Sequence, residues 1–304
     1  MLQDFLTECR ALKKKPSTIS QYHFDGRLVL LYIKRKLGNK SILELSKKDF
    51  RNFTLYYTEE LGVSSARVNR LMSMVRTMLE FATNEDDYDY EINYASKVKG
   101  LPKEAVREIV FLPNEAIMAL YNYFMDNEKY RDATLVALAY ESTGRKNELC
   151  QVLKDSVTDD RNCTNQVVGK RGKVFPLIYF ELTKKAAKKY LEQRGDDGIP
   201  ELFVNSEGRP ATAGNLYEWV VDMRPILKEL TGTEYLCNVH SFRHSALENY
   251  STGTHQHLID NGMGALPIEK LRLIARHSSI ATTQRYLAPK DDKELEDLFG
   301  IKID

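Results

Sequence analysis

Two short runs of β-branched residues, joined by a five-residue turn, constrain the fold of this chain more than any other feature. The runs are Thr164–Val168 and Val174–Phe180, and residues 169–173 between them read Gly-Lys-Arg-Gly-Lys. β-Branched side chains favour strands, and a short connection that contains glycine is typical of an antiparallel hairpin. The rest of the chain has mostly helical periodicity. The sequence therefore predicts a mainly α fold with one small antiparallel β-sheet.

The clearest predicted helix follows Ser64 and lies in the first hundred residues. Its apolar residues recur at three- and four-residue spacing and form one stripe, made of Val68, Leu71, Met72, Val75, Met78, Leu79 and Ala82. Arg67, Arg70 and Arg76 lie off this stripe, where they are able to face a DNA backbone. We predict a helical domain over residues 1–95.

The first eighty residues carry an excess of basic side chains that the net charge of the whole chain conceals. They hold fifteen Lys and Arg against eight Asp and Glu, whereas all 304 residues together have a formal net charge of +1. Basic surfaces neutralise phosphates, which are the main source of affinity for DNA. This excess indicates a DNA-binding domain, and the alternative is an ordinary solvated helical face.

A segment with glycine and proline separates this domain from the remainder of the chain. Residues 96–107 include Gly100 and Pro102, and we predict that they form an interdomain linker. Lys97 and Lys99 either follow a DNA backbone across this linker or belong to a plain surface tether. Residues 108–304 hold the predicted hairpin and are expected to form a mixed α+β domain, since the chain is long enough for two domains.

Cysteine usage and hydropathy limit the cellular setting and the cofactors. The four cysteines are scattered along the chain without a C-x-x-C pair, which disfavours both disulfides and a cysteine zinc site. No apolar run approaches the length of a membrane span, and no signal peptide is recognisable. We therefore expect a reduced, cytoplasmic protein with no metal, no cofactor and no membrane association.

Five side chains of the second domain have the chemistry needed to cleave a phosphodiester without a metal ion. They are Arg145, His240, Arg243, His277 and Tyr286. Arginines bind the non-bridging oxygens, a tyrosine hydroxyl attacks phosphorus, and histidines move protons. Taken singly, these residues have ordinary structural interpretations, such as a helix cap, a core ring or a surface ion pair. Their joint pattern favours phosphodiester chemistry.

This pattern resembles the tyrosine recombinase (phage integrase) family. Residues 145–149, Arg-Lys-Asn-Glu-Leu, match the second half of the first arginine box, and His240, Arg243 and His244 match the second box. Residues 277–286, His-Ser-Ser-Ile-Ala-Thr-Thr-Gln-Arg-Tyr, match the third box at the family's spacing. The resemblance covers the chain from about residue 110, and the helical first domain looks like the family's core-binding domain.

The resemblance implies a role for the five side chains. Arg145 and Arg243 clamp the scissile phosphate. His240 and His277 form hydrogen bonds to it and assist proton movement. Tyr286 attacks phosphorus and forms a 3′-phosphotyrosyl link. Because this link conserves the energy of the broken bond, the DNA can be rejoined to another strand.

The hairpin turn resembles the strand-turn lysine of the family and carries two candidate general acids. Lys170 follows Gly169 and is the implied acid for the leaving 5′-hydroxyl, but the turn is short, so Lys173 competes for this role. Arg276 stands where the family usually has glycine before its third-box histidine, and it either adds a phosphate contact or only fills space. We expect Lys173 and Arg276 to contact DNA.

Two further segments suggest interactions. Residues 251–266 lengthen the stretch between the second and third boxes and hold His255 and His257, either as a loop that touches DNA or a partner subunit or as a surface excursion. After Pro289, apolar residues at three-four spacing predict a C-terminal tail helix that docks on a neighbouring protomer or packs on its own domain.

The expected function is that of a site-specific DNA recombinase or integrase. The resemblance implies a homotetramer on double-stranded DNA that exchanges strands through a Holliday junction, and a monomer or weak oligomer in its absence. The alternatives are a type IB topoisomerase-like enzyme and a catalytically silent DNA-binding protein. Because the first predicted helix begins within a few residues of Met1, we expect no separate arm-binding domain. This favours a resolvase, an inversion enzyme or the integrase of a small mobile genetic element.

Overall fold

The computed structural model of the chain describes residues 1–102 and 109–284, together with residues 287 and 300. The chain divides into two compact units, Met1–Glu108 and Ile109–Asp304. Each unit has its own hydrophobic core.

The first unit is helical throughout its regular structure. Its α-helices are α1 (Leu2–Ala11), α2 (Pro16–Lys36), α3 (Lys47–Leu55) and α4 (Ser65–Thr83), with short helical turns at Ile42–Glu44, Tyr56–Glu60 and Tyr94–Lys97. The predicted apolar stripe of α4 is confirmed, since all seven of its side chains are buried. Helix α3 begins at a reciprocal cap, in which Ser46 Oγ accepts from Asp49 N and the Asp49 carboxylate accepts from Ser46 N.

The chain after α4 packs back onto this unit. Arg76 donates from Nε to Ala95 O at 3.1 Å and from Nη2 to Val98 O at 2.9 Å. Asn69 forms hydrogen bonds with both the N–H and the carbonyl of Leu101. Residues 96–101, which the sequence placed in the linker, therefore lie on the first unit. Arg76 binds this segment, contrary to the expectation that it faces DNA.

The second unit is a helical domain that contains one hairpin. Its helices are α5 (Asn114–Asp126), α6 (Tyr130–Ser142), α7 (Lys146–Leu149), α8 (Glu181–Arg194), α9 (Ala213–Thr231), α10 (Val239–Thr252), α11 (Gln256–Asp260), α12 (Ile268–Ile274) and α13 (Ile280–Gln284). Helix α6 is central, because every residue from Ala133 to Ser142 is buried. The predicted mainly α fold with a small antiparallel sheet is confirmed.

The hairpin consists of strands β1 (Cys163–Val168) and β2 (Val174–Ile178), which pair antiparallel with Val168 opposite Val174. The turn closes through a 2.7 Å hydrogen bond from Gly169 N to Lys173 O. Arg171 and Gly172 both have positive φ, 61° and 74°, which reverses the chain direction. Strand β2 ends at Ile178, two residues earlier than predicted, because Phe180 already caps α8.

The segment between the second and third boxes is anchored inside the domain. The ring of His255 is fully buried and stacks between Tyr140, at 4.1 Å between centroids, and Tyr250, at 3.8 Å. The neighbouring His257 stacks on Phe180 at 3.5 Å. Both predictions for this segment, a loop that touches DNA or a partner subunit and a surface excursion, are therefore wrong for His255. It is an internal anchor, and α11 begins at its imidazole, whose Nδ1 accepts from His257 N.

Burial of this ring links stability to pH. Burial lowers the pKa of His255 from 6.5 to about 3, so the folded protein keeps the ring neutral while the unfolded chain protonates it below pH 6.5. The unfolded state then binds more protons, and stability falls as the pH decreases from about 6.5 towards 3.

We expect His255→Phe, which keeps an aromatic ring in the stack, to reduce this loss. Between about pH 5.5 and pH 4, the free energy of unfolding should depend on pH less steeply by about 1.4 kcal/mol per pH unit. Urea titrations followed by the fluorescence of Trp219, the single tryptophan, report on the second unit. Tyr250→Phe keeps the histidine and should keep the wild-type slope. An unchanged slope in His255→Phe would contradict the assignment.

Candidate active site

Helix α10 carries the second-box residues on its first turn. The side chain of Asn238 caps the helix by accepting from His240 N at 2.8 Å, while Ser241 Oγ accepts from Asn238 N at 3.0 Å. This cap fixes where the helix begins. Residues three apart share one helix face, so His240 and Arg243 are presented together. The His240 and His244 rings meet edge to face with centroids 4.7 Å apart.

Arg243 is fully buried and joins two loops to a histidine. Its guanidinium group donates to Thr143 O, to Ala275 O and, at 2.9 Å, to Nε2 of His277. Thr143 directly follows α6, and Ala275 directly follows α12. These three acceptors are uncharged, so they orient the arginine without cancelling its charge.

Arg145 directly precedes α7 and is held by Glu148, the third residue of that helix. Glu148 is buried, and its carboxylate accepts from the backbone N and the Nη1 of Arg145, both at 2.9 Å. The side chain of Arg145 remains 25% exposed while that of Glu148 is 2% exposed, so the arginine reaches the surface of the site. Gly144 precedes Arg145, and a β-carbon there would lie 2.7 Å from Leu149 Cδ2. This tight packing leaves no room for a side chain at position 144.

The hydrogen bonds of His277 determine its tautomer. A guanidinium group has donors only, so Nε2 accepts from Arg243; in the neutral ring the proton is therefore on Nδ1 and is donated to Thr283 Oγ1, at 3.1 Å. Thr283 is fully buried. The sequence motif contained this threonine but did not reveal its role, because the contact depends on how α13 packs.

Burial and positive charge keep both histidines neutral. The pKa of His277 is lowered to about 3 by burial and then by Arg243 and Arg145. The pKa of His240 is lowered to about 4 by burial, then by His244, Arg243 and Arg145. Because Arg145 lowers both pKa values, the structure brings together both arginines and both histidines of the predicted set.

Lys170 and Lys173 are both exposed in the hairpin turn. Lys173 lines an open pocket with Val174, Phe175, Arg272, Leu273, Arg276 and His277, and Lys170 does not line it. Tyr286 lies outside the described residues, as does the predicted tail helix after residue 290.

Arg276 occupies the edge of the site in an unusual backbone conformation. Its φ is 56°, in the left-handed region that favours glycine. The guanidinium group lies 4.6 Å from the ring centroid of Phe175 and donates to Ser142 O at 2.9 Å. Burial lowers the pKa of Arg276.

The basic residues predicted to bind DNA in the first unit differ in their surroundings. Arg67 forms a 2.5 Å ion pair with the buried Asp25, so its charge is compensated inside the unit. Arg70 is more exposed and lies 3.9 Å from the same carboxylate. Lys97 and Lys99 are exposed, and Lys97 lies over the ring of Tyr94.

The described part of the chain contains no group of three or more His, Cys, Asp or Glu residues placed to hold a metal ion. Among the described helices, none has both the length and the apolar character required to cross a bilayer.

Comparison with known proteins identifies the family. The model of the phage integrase family matches residues 111–293. The tyrosine recombinase XerC of Treponema denticola is 26% identical, over 94% of this chain and 93% of its own length. The SPbeta prophage-derived recombinase-like protein YomM of Bacillus subtilis is 24% identical, over 97% of this chain and 88% of its own.

Solved structures share the fold. The chain matches a λ integrase (75–356) dimer bound to a core site with a TM-score of 0.68 and 14% identity, covering 94% of this chain and 93% of that one. It matches the XerH recombinase bound to its palindromic difH substrate with a TM-score of 0.69 and 17% identity, covering 99% and 84%. Because the family model matches more than half of its residues, the chain belongs to the phage integrase family and is a tyrosine recombinase.

Proposed function

We propose that this protein is a site-specific DNA recombinase or integrase that cleaves and rejoins double-stranded DNA through Tyr286. The observation that carries this proposal is the buried guanidinium group of Arg243, which two backbone carbonyls and His277 Nε2 hold in a fixed orientation. Arg145 supplies a second guanidinium group at the same site. An anion with several oxygens, such as a phosphodiester, complements this pair of cations.

The proposed reaction assigns one role to each of these side chains. Tyr286 Oη forms a bond to phosphorus as the bond from phosphorus to the 5′-oxygen breaks, and the tyrosine proton is lost. Arg145 and Arg243 stabilise the charge that develops on the non-bridging oxygens. A hairpin lysine gives a proton to the leaving 5′-oxygen. Rejoining is the reverse step, with the 5′-hydroxyl of another strand as the nucleophile.

The neutral histidines are suited to this site in the absence of substrate. Two further positive charges beside two arginines would repel one another, and burial removes them. A bound phosphate brings negative charge and so raises the pKa of His240 and His277. Protonation of either ring is therefore more favourable in the complex than in the free protein.

Strand exchange requires two duplexes, so we propose a homotetramer on DNA and a monomer or weak oligomer without it. The relatives named recombinases favour this function over a type IB topoisomerase and over a silent DNA-binding protein. We propose that Arg70, Lys97 and Lys99 contact the phosphate backbone from the first unit, and that Arg67 supports its helix through Asp25. A cytoplasmic location fits this activity on DNA.

The central prediction is a covalent adduct through Tyr286. A pool of linear duplexes with a single nick and randomised flanking sequence is incubated with the protein in EDTA, and adducts that resist SDS are captured and sequenced. The nick allows the short cleaved strand to diffuse away, so the adduct accumulates. We expect wild type to select a discrete sequence without added metal, because arginines neutralise the phosphate.

The matched control is Tyr286→Phe, which removes one oxygen. It should bind the selected duplex and capture none of it covalently. Equal and substantial capture by both proteins would rule out Tyr286 as the nucleophile, and no detectable capture by wild type would rule out the proposed activity.

The general acid is tested with a leaving group that does not need one. In a duplex whose scissile 5′-oxygen is replaced by sulfur, the leaving thiolate departs without a proton because a thiol is far more acidic than an alcohol. We expect Lys170→Met to cleave the oxygen substrate about 10²-fold more slowly and the sulfur substrate at nearly the wild-type rate. Lys173→Met should cleave the two substrates in the wild-type ratio. The reverse pattern would assign the acid to Lys173, which lines the pocket beside His277.

Thr283 is proposed to orient the ring of His277 by accepting from Nδ1, the nitrogen that carries the proton when Nε2 accepts from Arg243. Thr283→Val keeps the shape of the side chain and removes the oxygen that accepts from Nδ1, so we expect cleavage to slow by on the order of tenfold. Thr283→Ser retains the hydroxyl and should cleave at close to the wild-type rate. Rates of adduct formation on the selected duplex measure both, and equal rates for the valine and serine variants would contradict this role.

A further inference from the structure

Arg276 adopts a backbone conformation that favours glycine, the residue without a side chain. Its φ of 56° is disfavoured for a residue with a β-carbon, and a glycine would adopt it freely. Residues in such conformations persist when surrounding contacts hold them, and they cluster at functional sites. The contacts of this side chain therefore show what offsets the unfavourable backbone conformation.

Arg276 joins three parts of the second unit. It directly precedes His277, it donates a hydrogen bond to Ser142 O at 2.9 Å, and its Cζ lies over the ring of Phe175, 4.6 Å from the centroid. Ser142 is the last residue of α6, just before Thr143, whose carbonyl accepts from Arg243. Phe175 belongs to β2 and comes two residues after the hairpin turn.

The ring under Arg276 is packed against the base of that turn. A β-carbon on Gly169 would lie 2.7 Å from Phe175 Cε1 and 3.1 Å from Glu148 Oε1, so the ring and the carboxylate closely flank this glycine. Glu148 in turn binds Arg145. Gly169 donates to Lys173 O and precedes Lys170, so this backbone carries both hairpin lysines.

We propose that Arg276 is a positioning residue, which holds the lysine-bearing hairpin against the phosphate site by stacking on Phe175 while bonded to Ser142. This inference rests on the proposed function. A tight turn on two strands tends to move as a unit, and a lysine at its tip transfers a proton only when its Nζ lies within reach of the 5′-oxygen. The stack between a planar cation and a ring restricts that motion.

A direct contact of Arg276 with the phosphate is the competing role. Within the described residues, Nε of Arg276 is buried and has no hydrogen-bond partner. The two roles differ in what they accelerate. A phosphate contact stabilises charge on non-bridging oxygens for any leaving group, whereas a hairpin support matters only when the leaving group needs a proton.

The experiment compares variants on the oxygen and sulfur forms of the duplex that wild type selects. Arg276→Gly removes the side chain and relieves the backbone. Arg276→Lys keeps the positive charge and removes the planar stack. Phe175→Leu removes the ring from the other side. Arg272→Gln is the matched control, because it removes another positive charge from the same pocket, together with the hydrogen bond from Arg272 to His277 O, and keeps both Arg276 and Phe175.

We expect Arg276→Gly, Arg276→Lys and Phe175→Leu to form adduct with the oxygen substrate more slowly by on the order of tenfold to 10²-fold. With the sulfur substrate they should match wild type within about twofold, a small change beside that general-acid effect.

The double variant Arg276→Gly/Phe175→Leu should be no slower than the slower single variant, since both act through one contact. Arg272→Gln should change the two substrates by the same factor. Thermal unfolding followed by Trp219 fluorescence should show Arg276→Gly folded.

Equal slowing of both substrates by Arg276→Gly would overturn the positioning role and assign Arg276 to the phosphate. Wild-type rates on the oxygen substrate would also overturn it. Failure of the proposed function is a different result, in which wild type itself forms no adduct with either substrate.

Discussion

The guanidinium group of Arg243 is the interaction on which the rest of the site depends. It is buried and donates to a carbonyl after α6, to a carbonyl after α12 and to Nε2 of His277. A buried cation is expensive unless its donors are satisfied. These contacts satisfy donors and at the same time fix the separation of two loops that lie far apart in the sequence. One loop leads to Arg145 and the other carries Arg276 and His277, so the same contacts align the phosphate-binding side chains.

The two arginines of the site affect the protonation of the two neighbouring histidines, His240 and His277. In a buried site that already holds two arginines, further positive charge on the histidines is unfavourable while no anion is bound. Burial is the largest cause of the low pKa of both His240 and His277, and the arginines add to it. Arg243, which can only donate, then decides which nitrogen of His277 carries the proton, and Thr283 Oγ1 accepts from that nitrogen. Positive charge is thus confined to planar guanidinium groups, whose geometry matches phosphate oxygens.

Local patterns in the sequence predicted the elements, and long-range contacts determined the use of individual side chains. The stripe of α4 and the hairpin were predictable because periodicity and turn residues are local. The ion pair of Arg67 with the buried Asp25 was not, since α2 and α4 meet only in the folded unit. His255 looked like part of a loop, because no local pattern shows that two tyrosines from α6 and α10 enclose it. The boxes predicted which side chains converge, but not the carbonyls and the threonine that orient them.

Two residues with left-handed backbone flank the central arginine, and neither is glycine. Thr143 has φ 52° at the end of α6, and Arg276 has φ 56° after α12. Glycine is the usual residue where a helix ends in this conformation. Each residue's side chain is bonded to the other loop, since Thr143 Oγ1 donates to Ile274 O at 3.2 Å and Arg276 donates to Ser142 O at 2.9 Å. Glycine would fit both backbones better, but it would remove both crossing bonds. The two hydrogen bonds therefore offset the unfavourable backbone conformations and fix the spacing between the loops. Arg243 requires this spacing to reach both carbonyls.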